Sequence, residues 1–211
     1  MKDEYLSVGL GKSATLKVEG SKFIAEVFPV ADSAAAEERI AEVRKKYHDA
    51  THHCFAYAIG GSREEFRYSD AGEPTGTAGI RILSAIESKD LSDLCVVVTR
   101  YFGGTKLGVG GLGRAYFEAA LSVLSAAPCV TKILADDVRI TFPYEETNPV
   151  MTILARNRVR IADTVYGDDV TLHLMIRSGA TEAILGQLRE ATKGNMAGKI
   201  VSEKNRIVNT P

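Results

Sequence analysis

Tryptophan is absent from this sequence of 211 residues, cysteine occurs three times, and neither sign of charge is in excess. Each shortage excludes something. Cys54, Cys95 and Cys129 stand far apart and match no metal-ligand or disulfide spacing, so neither a zinc module nor a disulfide scaffold is written here. Two of them lie inside apolar runs, where cysteine behaves as a small hydrophobe. The net charge of −1 excludes the strongly basic domain of a dedicated, non-specific nucleic-acid binder. Dividing the chain at Pro128 leaves both parts near neutral, so any surface for a polyanion must be a local patch. No run approaches the ~18 apolar residues of a membrane span, and charges are scattered through Met1–Gly20. The expectation is a chain with neither a span nor a signal peptide, housed in a reducing cytoplasm. Repeats and low-complexity tracts are missing as well.

What is present is ordinary globular material, 45% hydrophobic and 25% charged, in a chain long enough for two small domains. Thr15–Phe28 reads as strands around the turn Glu19-Gly20-Ser21. Asp32 or Ser33 caps a helix that puts Ile40, Val43 and Tyr47 on one face. His52–Ile59 is a strand ended by Gly60-Gly61-Ser62, and Glu65–Tyr68 pairs back on it. A helix over Ala78–Ser88 follows. Leu94–Thr99 is a nearly unbroken apolar run, as expected of a central strand covered on both faces. A long helix then ends near Ala127, where Pro128 stops it.

Beyond Pro128 the rhythm changes. Val138, Ile140 and Phe142 alternate with polar residues. Thr147 or Asn148 is placed to cap a helix carrying Pro149 in its first turn. Val159–Tyr166 and Val170–Ile176 flank Gly167-Asp168-Asp169 as a hairpin, with His173 on its polar side. A helix around Thr181–Thr192 and a strand near Lys199–Val208 complete β-α-β-β-α-β, the ferredoxin-like order. The expectation is an α+β protein of two domains, 1–130 and 131–211, joined by a linker near residues 128–136.

Two segments carry candidate chemistry. In the first, Gly103, Gly104, Gly108, Gly110, Gly111 and Gly113 crowd the stretch between Phe102 and Arg114. Gly108–Gly113 spells G-x-G-x-x-G, yet a dinucleotide fold needs the first glycine at the strand's end and an acid closing the next strand. Neither condition is met, and the segment holds no Gly-Lys-Ser/Thr of a phosphate loop. Two readings stay open. In one, the glycines only let strand and helix pack closely, with the arginines paired to nearby carboxylates. In the other, their backbone N–H groups and the following helix hold an anion, with Arg100, Lys106 and Arg114 on phosphate and Tyr101 or Phe102 stacking on a base.

In the second segment, Ser69–Thr77, Asp70 and Glu73 precede a helix, where carboxylates favour the dipole and Thr75 or Thr77 can cap. His52, His53 and Cys54 are the other polar candidates. Adjacent strand residues face opposite sides, so only one of the histidines can join the carboxylates. Two oxygens and one imidazole make a thin metal set, and no metal or cofactor is expected. No nucleophile stands in a recognisable motif, and no catalytic residue is assigned.

"SKFIA" at Ser21–Ala25, "DATHHCFAY" at Asp49–Tyr57, "SDAGEPTGTAG" at Ser69–Gly79 and "VVVTRYFGGTKLGVGGLGRAY" at Val96–Tyr116 resemble the YigZ/IMPACT family in content, order and spacing. The resemblance implies an N-terminal domain with the ribosomal protein S5 domain 2-like fold, similar to domain IV of elongation factor G. It implies a ferredoxin-like second domain similar to that factor's domain V. It also implies RNA or the ribosome as partner and a part in translation regulation; no membrane partner is expected, because no long apolar run is present. On that reading Arg100, Lys106 and Arg114 meet phosphates, Gly103, Gly104, Gly110, Gly111 and Gly113 supply backbone donors, and Asp70 and Glu73 position the arginines. The rival expectations are a binder or enzyme of a small phosphorylated metabolite in the same cleft, and a protein-interaction module. Two departures from the family pattern are that Ala71 follows Asp70, where a second acid is common, and that Ile80-Arg81 replaces a basic-proline pair.

Overall fold

The computed structural model describes residues 3–209, with side chains as far as Val201. These residues divide into two compact units, Tyr5–Thr131 and the remainder. The fold is α+β throughout, an S5 domain 2-like unit followed by a ferredoxin-like one.

In the first unit a five-stranded sheet is built from β2 (Lys12–Val18), β3 (Ser21–Pro29), β4 (His52–Ile59), β5 (Glu65–Ser69) and β6 (Leu94–Tyr101), in the order β2-β3-β6-β4-β5. Every neighbouring pair is antiparallel. Helices α2 (Gly79–Ser88) and α3 (Gly108–Ala126) cover one face, where Phe23, Cys54, Val96 and Val98 meet Ile82, Ile86, Tyr116 and Val123. Helix α1 (Ser33–Lys46) covers the other, where Phe55, Cys95 and Val97 meet Ala36, Ile40 and Val43. Both faces of β6 are therefore buried, which is why its sequence does not alternate. Asp32 caps α1 by accepting from the Ala35 N–H at 2.8 Å. A further strand, β1 (Glu4–Val8), has no counterpart in the sequence reading. It is anchored by the Tyr5 hydroxyl, which donates to Asp93 at 2.5 Å. In the Gly11-Lys12-Ser13 triplet, Lys12 and Ser13 open β2 and pair with Val27 and Glu26 of β3, so the triplet forms no phosphate loop.

The second unit runs β7 (Cys129–Phe142), α4 (Thr147–Arg156), β8 (Arg160–Tyr166), β9 (Val170–Arg177), α5 (Thr181–Ala191) and β10 (Ala197–Asn209). The sheet runs β1-β7-β9-β8 with β10 also paired to β7, and its β10-β7-β9-β8 part has the order of a ferredoxin-like fold. Val138, Ile140, Phe142, Leu172 and Leu174 pack against Val150, Leu154 and Leu188 of the helices.

Two expectations are corrected here. The linker near residues 128–136 is strand, because β7 is continuous for 14 residues. Asp136 within it accepts from the hydroxyls of Ser178 (2.7 Å) and Thr181 (2.5 Å), which fixes the start of α5. Neither Thr147 nor Asn148 caps α4; Thr147 is already helical and its hydroxyl donates to the Tyr144 carbonyl. Pro149 does lie in the first turn, where its missing N–H costs nothing. Among the described residues no helix is long and apolar enough to cross a membrane.

Candidate functional site

The acidic loop is built around Asp70. One carboxylate oxygen accepts from the N–H groups of Ala78 (2.9 Å) and Gly79 (2.8 Å), and the other from Gly76 (2.9 Å). Asp70 is therefore the cap of α2, satisfying donors that the helix cannot. Thr75 and Thr77 do not cap: Thr75 is exposed, and the buried Thr77 hydroxyl donates back to the Pro74 carbonyl at 2.6 Å. Nor does Asp70 position an arginine.

Glu73 does. Its Oε1 accepts from Arg100 at 2.7 Å and from the Tyr116 hydroxyl at 2.8 Å, with both charged side chains nearly removed from solvent. Arg100 also donates to Ser21 Oγ at 3.3 Å, and Ser21 Oγ accepts the Gly103 N–H at 3.2 Å. The Arg100 guanidinium lies 5.5 Å from the ring centroids of both Phe23 and Phe102. Arg100 is thus a core residue, 5% exposed, and the expectation that it meets phosphate is corrected: its charge is spent on Glu73.

The histidines separate as strand alternation demands. His52 turns to the carboxylate side, with Nε2 at 3.8 Å from Glu73 Oε2. Its Nδ1 lies 3.0 Å from the Ala71 carbonyl, which can only accept, so that nitrogen carries the hydrogen. His53 turns the other way and donates to the Tyr47 carbonyl at 3.0 Å. Burial holds its pKa below the usual histidine value. Cys54 donates to the Asp70 carbonyl at 2.9 Å, and burial pushes its thiol up to about 12. Burial, with Cys54 and Glu73 as neighbours, also raises the Tyr116 phenol. At neutral pH this cluster holds a protonated thiol, a protonated phenol and a neutralised ion pair. Sequence reading missed Tyr116 and Ser21; Tyr116 looks like any apolar residue of a helix face.

The glycine segment splits into parts. Gly103 abuts the β2–β3 turn so closely that a Cβ would sit 1.9 Å from the Gly20 carbonyl carbon. Gly104 (φ +86°) and Gly108 (φ +69°) take the left-handed backbone that glycine tolerates. From Gly108 onward the segment is helix, not loop, and Leu107 supplies no side-chain cap. The free donors are therefore the N–H groups of Gly108, Val109 and Gly110. Gly111 and Gly113 lie further in, where their N–H groups bond to the preceding turn, which corrects their expected role as donors. Gly113 is buried, 3.3 Å from Arg81 Nε as measured from a built Cβ. Tyr101 is half-buried and donates to Asp49 at 2.8 Å, whereas Phe102 is 48% exposed.

Lys106 and Arg114 are exposed, with no hydrogen bond or ion pair to any described residue. Together with Val18, Thr105, Leu107 and Gly111 they line a groove of about 480 Å³, which Glu19 and Glu118 also border.

The glycine segment and the acidic loop fall inside a match to the Impact N-terminal domain, which spans residues 19–124. The chain belongs to the IMPACT family. A second match, to a domain of unknown function (DUF1949), covers residues 140–195 of the ferredoxin-like unit. The IMPACT family member YvyE of Bacillus subtilis is 31% identical over 92% of this chain and 89% of its own length. An IMPACT family member of Thermus thermophilus is 33% identical over 85% of this chain and 97% of its own. YigZ of Escherichia coli is 26% identical over 85% and 89%. A crystal structure titled as that of a hypothetical protein aligns with a TM-score of 0.70 at 24% identity, covering 97% of this chain and 100% of that one.

This IMPACT-family chain groups no three histidine, cysteine, aspartate or glutamate side chains in a metal-holding arrangement among the described residues. Its acidic cluster holds the fold: Asp70 starts a helix, and Glu73 ties a strand (Arg100) to a helix (Tyr116). The start of α3 differs, because its donors and cations face outward.

Proposed function

We propose that this chain is a non-enzymatic RNA-binding protein whose target is the ribosome, and that it meets RNA with the first turn of α3. One observation carries the reading: Lys106 and Arg114 stand exposed and unpaired beside the uncapped N–H groups of Gly108, Val109 and Gly110. Such a turn suits a phosphate, because its dipole and orphan donors both favour negative charge. Exposed Phe102 offers a face for base stacking. The resemblance to domains IV and V of elongation factor G supports the ribosome as target and a part in translation regulation. Buried, protonated Cys54 and Tyr116 supply neither a nucleophile nor a base, which supports the non-enzymatic reading. With a net charge of −1 and few contacts, binding is weak and salt-sensitive.

Sedimentation with ribosomes through sucrose gradients at low and raised salt tests the proposal. Co-migration at low salt that fades with salt, and is lost in the Lys106→Ala/Arg114→Ala double variant, supports it. A protein that stays at the top under both conditions overturns it. The groove volume of about 480 Å³ lies within the range of small-molecule sites and favours a phosphorylated metabolite as the second reading. A thermal shift that grows with the concentration of a nucleotide or sugar phosphate would select that reading.

A further inference from the structure

The ferredoxin-like unit holds a cavity of its own, of about 470 Å³. Its apolar lining includes Ile133, Ala135, Val159, Ile176 and Ile184, drawn from β7, the entry to β8, β9 and α5. Among the described residues the charged ones that line it are Arg158, Arg160 and Arg177, with no carboxylate. All three arginines are exposed, so their guanidinium groups lie toward solvent while the apolar residues lie deeper.

The arginines are not equivalent. Arg177 is occupied by an ion pair with Glu4 at 2.5 Å. Arg158 and Arg160 make no side-chain hydrogen bond or ion pair with any described residue. The cavity therefore combines an apolar interior with two free guanidinium groups. Its volume is that of a small-molecule site rather than of a single buried water. Ile133, Ala135, Ile176 and Ile184 are already nearly removed from solvent, and a hydrocarbon body in the cavity would cover the half-buried Val159, Met175 and Ala180 beside them.

We propose that this cavity binds a small amphipathic anion, with an apolar body against Ile133, Val159, Ile176 and Ile184 and a carboxylate or phosphate on Arg158 and Arg160. Planar guanidinium groups pair with either head group in a fork of two hydrogen bonds. The carboxylate and phosphate forms share one recognition chemistry. The site is separate from the start of α3 and does not depend on the RNA-binding reading.

Isothermal titration of the full chain with octanoate, octyl phosphate and octanol tests the proposal. Saturable binding is expected for at least one of the anions, and the tighter one identifies the head group. Octanol binds about tenfold or more weakly, because it lacks the charge-assisted hydrogen bonds. The Arg158→Ala/Arg160→Ala double variant weakens the anion by a similar factor while leaving octanol unchanged. Ile184→Trp fills the cavity and abolishes binding; should it fail to fold by circular dichroism, Ala180→Leu at the same lining does so instead. No saturable binding of either anion overturns the proposal. So does octanol binding as tightly as the anions, or anion binding that survives both the arginine and the filling variants.

Discussion

The two ends of the glycine-rich signature differ in what their charges do. At Arg100, where the segment leaves β6, the cation is buried, paired with Glu73 and flanked by two aromatic rings. A few residues on, Lys106 and Arg114 are exposed and unpaired. In the sequence the three cations look alike. The difference is set by partners that come from elsewhere in the chain: Glu73, Ser21 and Tyr116 converge on the first cation, and among the described residues none converges on the other two. A charge already satisfied within the fold stabilises the fold, while one left exposed is available to a ligand.

The comparison breaks most visibly at Glu73. Glu73→Ala leaves Arg100 charged, buried and unpaired, and urea denaturation followed by circular dichroism should show a loss of about 3–5 kcal/mol. Glu73→Gln keeps an acceptor for Tyr116 and should lose less. A Glu73→Ala protein as stable as the parent would contradict the structural role of the pair.

Asp70→Ala removes the acceptor of three N–H groups at the start of α2 and should cost about 2 kcal/mol, the upper end for a helix cap. Thr75→Ala, by contrast, should stay within about 0.5 kcal/mol, since the residue is exposed and caps nothing.

A smaller effect belongs to His53. Its folded pKa lies below the unfolded value of about 6.5. As pH falls through that value the unfolded chain takes up a proton before the folded chain does, so stability drops below pH ~6.5 and is fully present above it. His53→Gln should flatten that part of a stability-against-pH curve. Thiol chemistry sharpens the same contrast between buried and open sites. Burial pushes Cys54 and Cys95 up to about 12, while Cys129 is exposed. A disulfide reagent at neutral pH should therefore titrate one thiol rapidly and the other two only on unfolding.

Much of the fold was legible because its signals are local. Gly60-Gly61-Ser62 ends β4, Pro128 follows α3, and the alternation of Val138, Ile140 and Phe142 marks a half-buried strand. The buried run of β6 could be read as a central strand for the same reason. β1 carries little local signal, because only Ser7 and Val8 are buried in it and its anchor, Asp93, is distant in sequence. The sequence shows Asp70 as a favourable charge near α2 but not as its cap, because it reaches the helix from eight residues away, beyond the spacing of a local cap. Pairing of the arginines with nearby carboxylates is one of the two readings the sequence leaves open; that the pair is Glu73 with Arg100, and buried, follows only from the packing of Tyr116 and Ser21 around it. Lys106 and Arg114 were legible as candidates, but their freedom from partners is a property of the folded surface.

The most direct test is the salt dependence of RNA affinity for the parent and for Lys106→Ala/Arg114→Ala. Neither substitution should change stability by more than about 0.5 kcal/mol. If both cations meet phosphates, the slope of log affinity against log salt should fall by about 1.5–2 and affinity should drop alike for unrelated RNA sequences. An unchanged slope and affinity in a folded double variant would contradict the assignment of the α3 start as the binding surface.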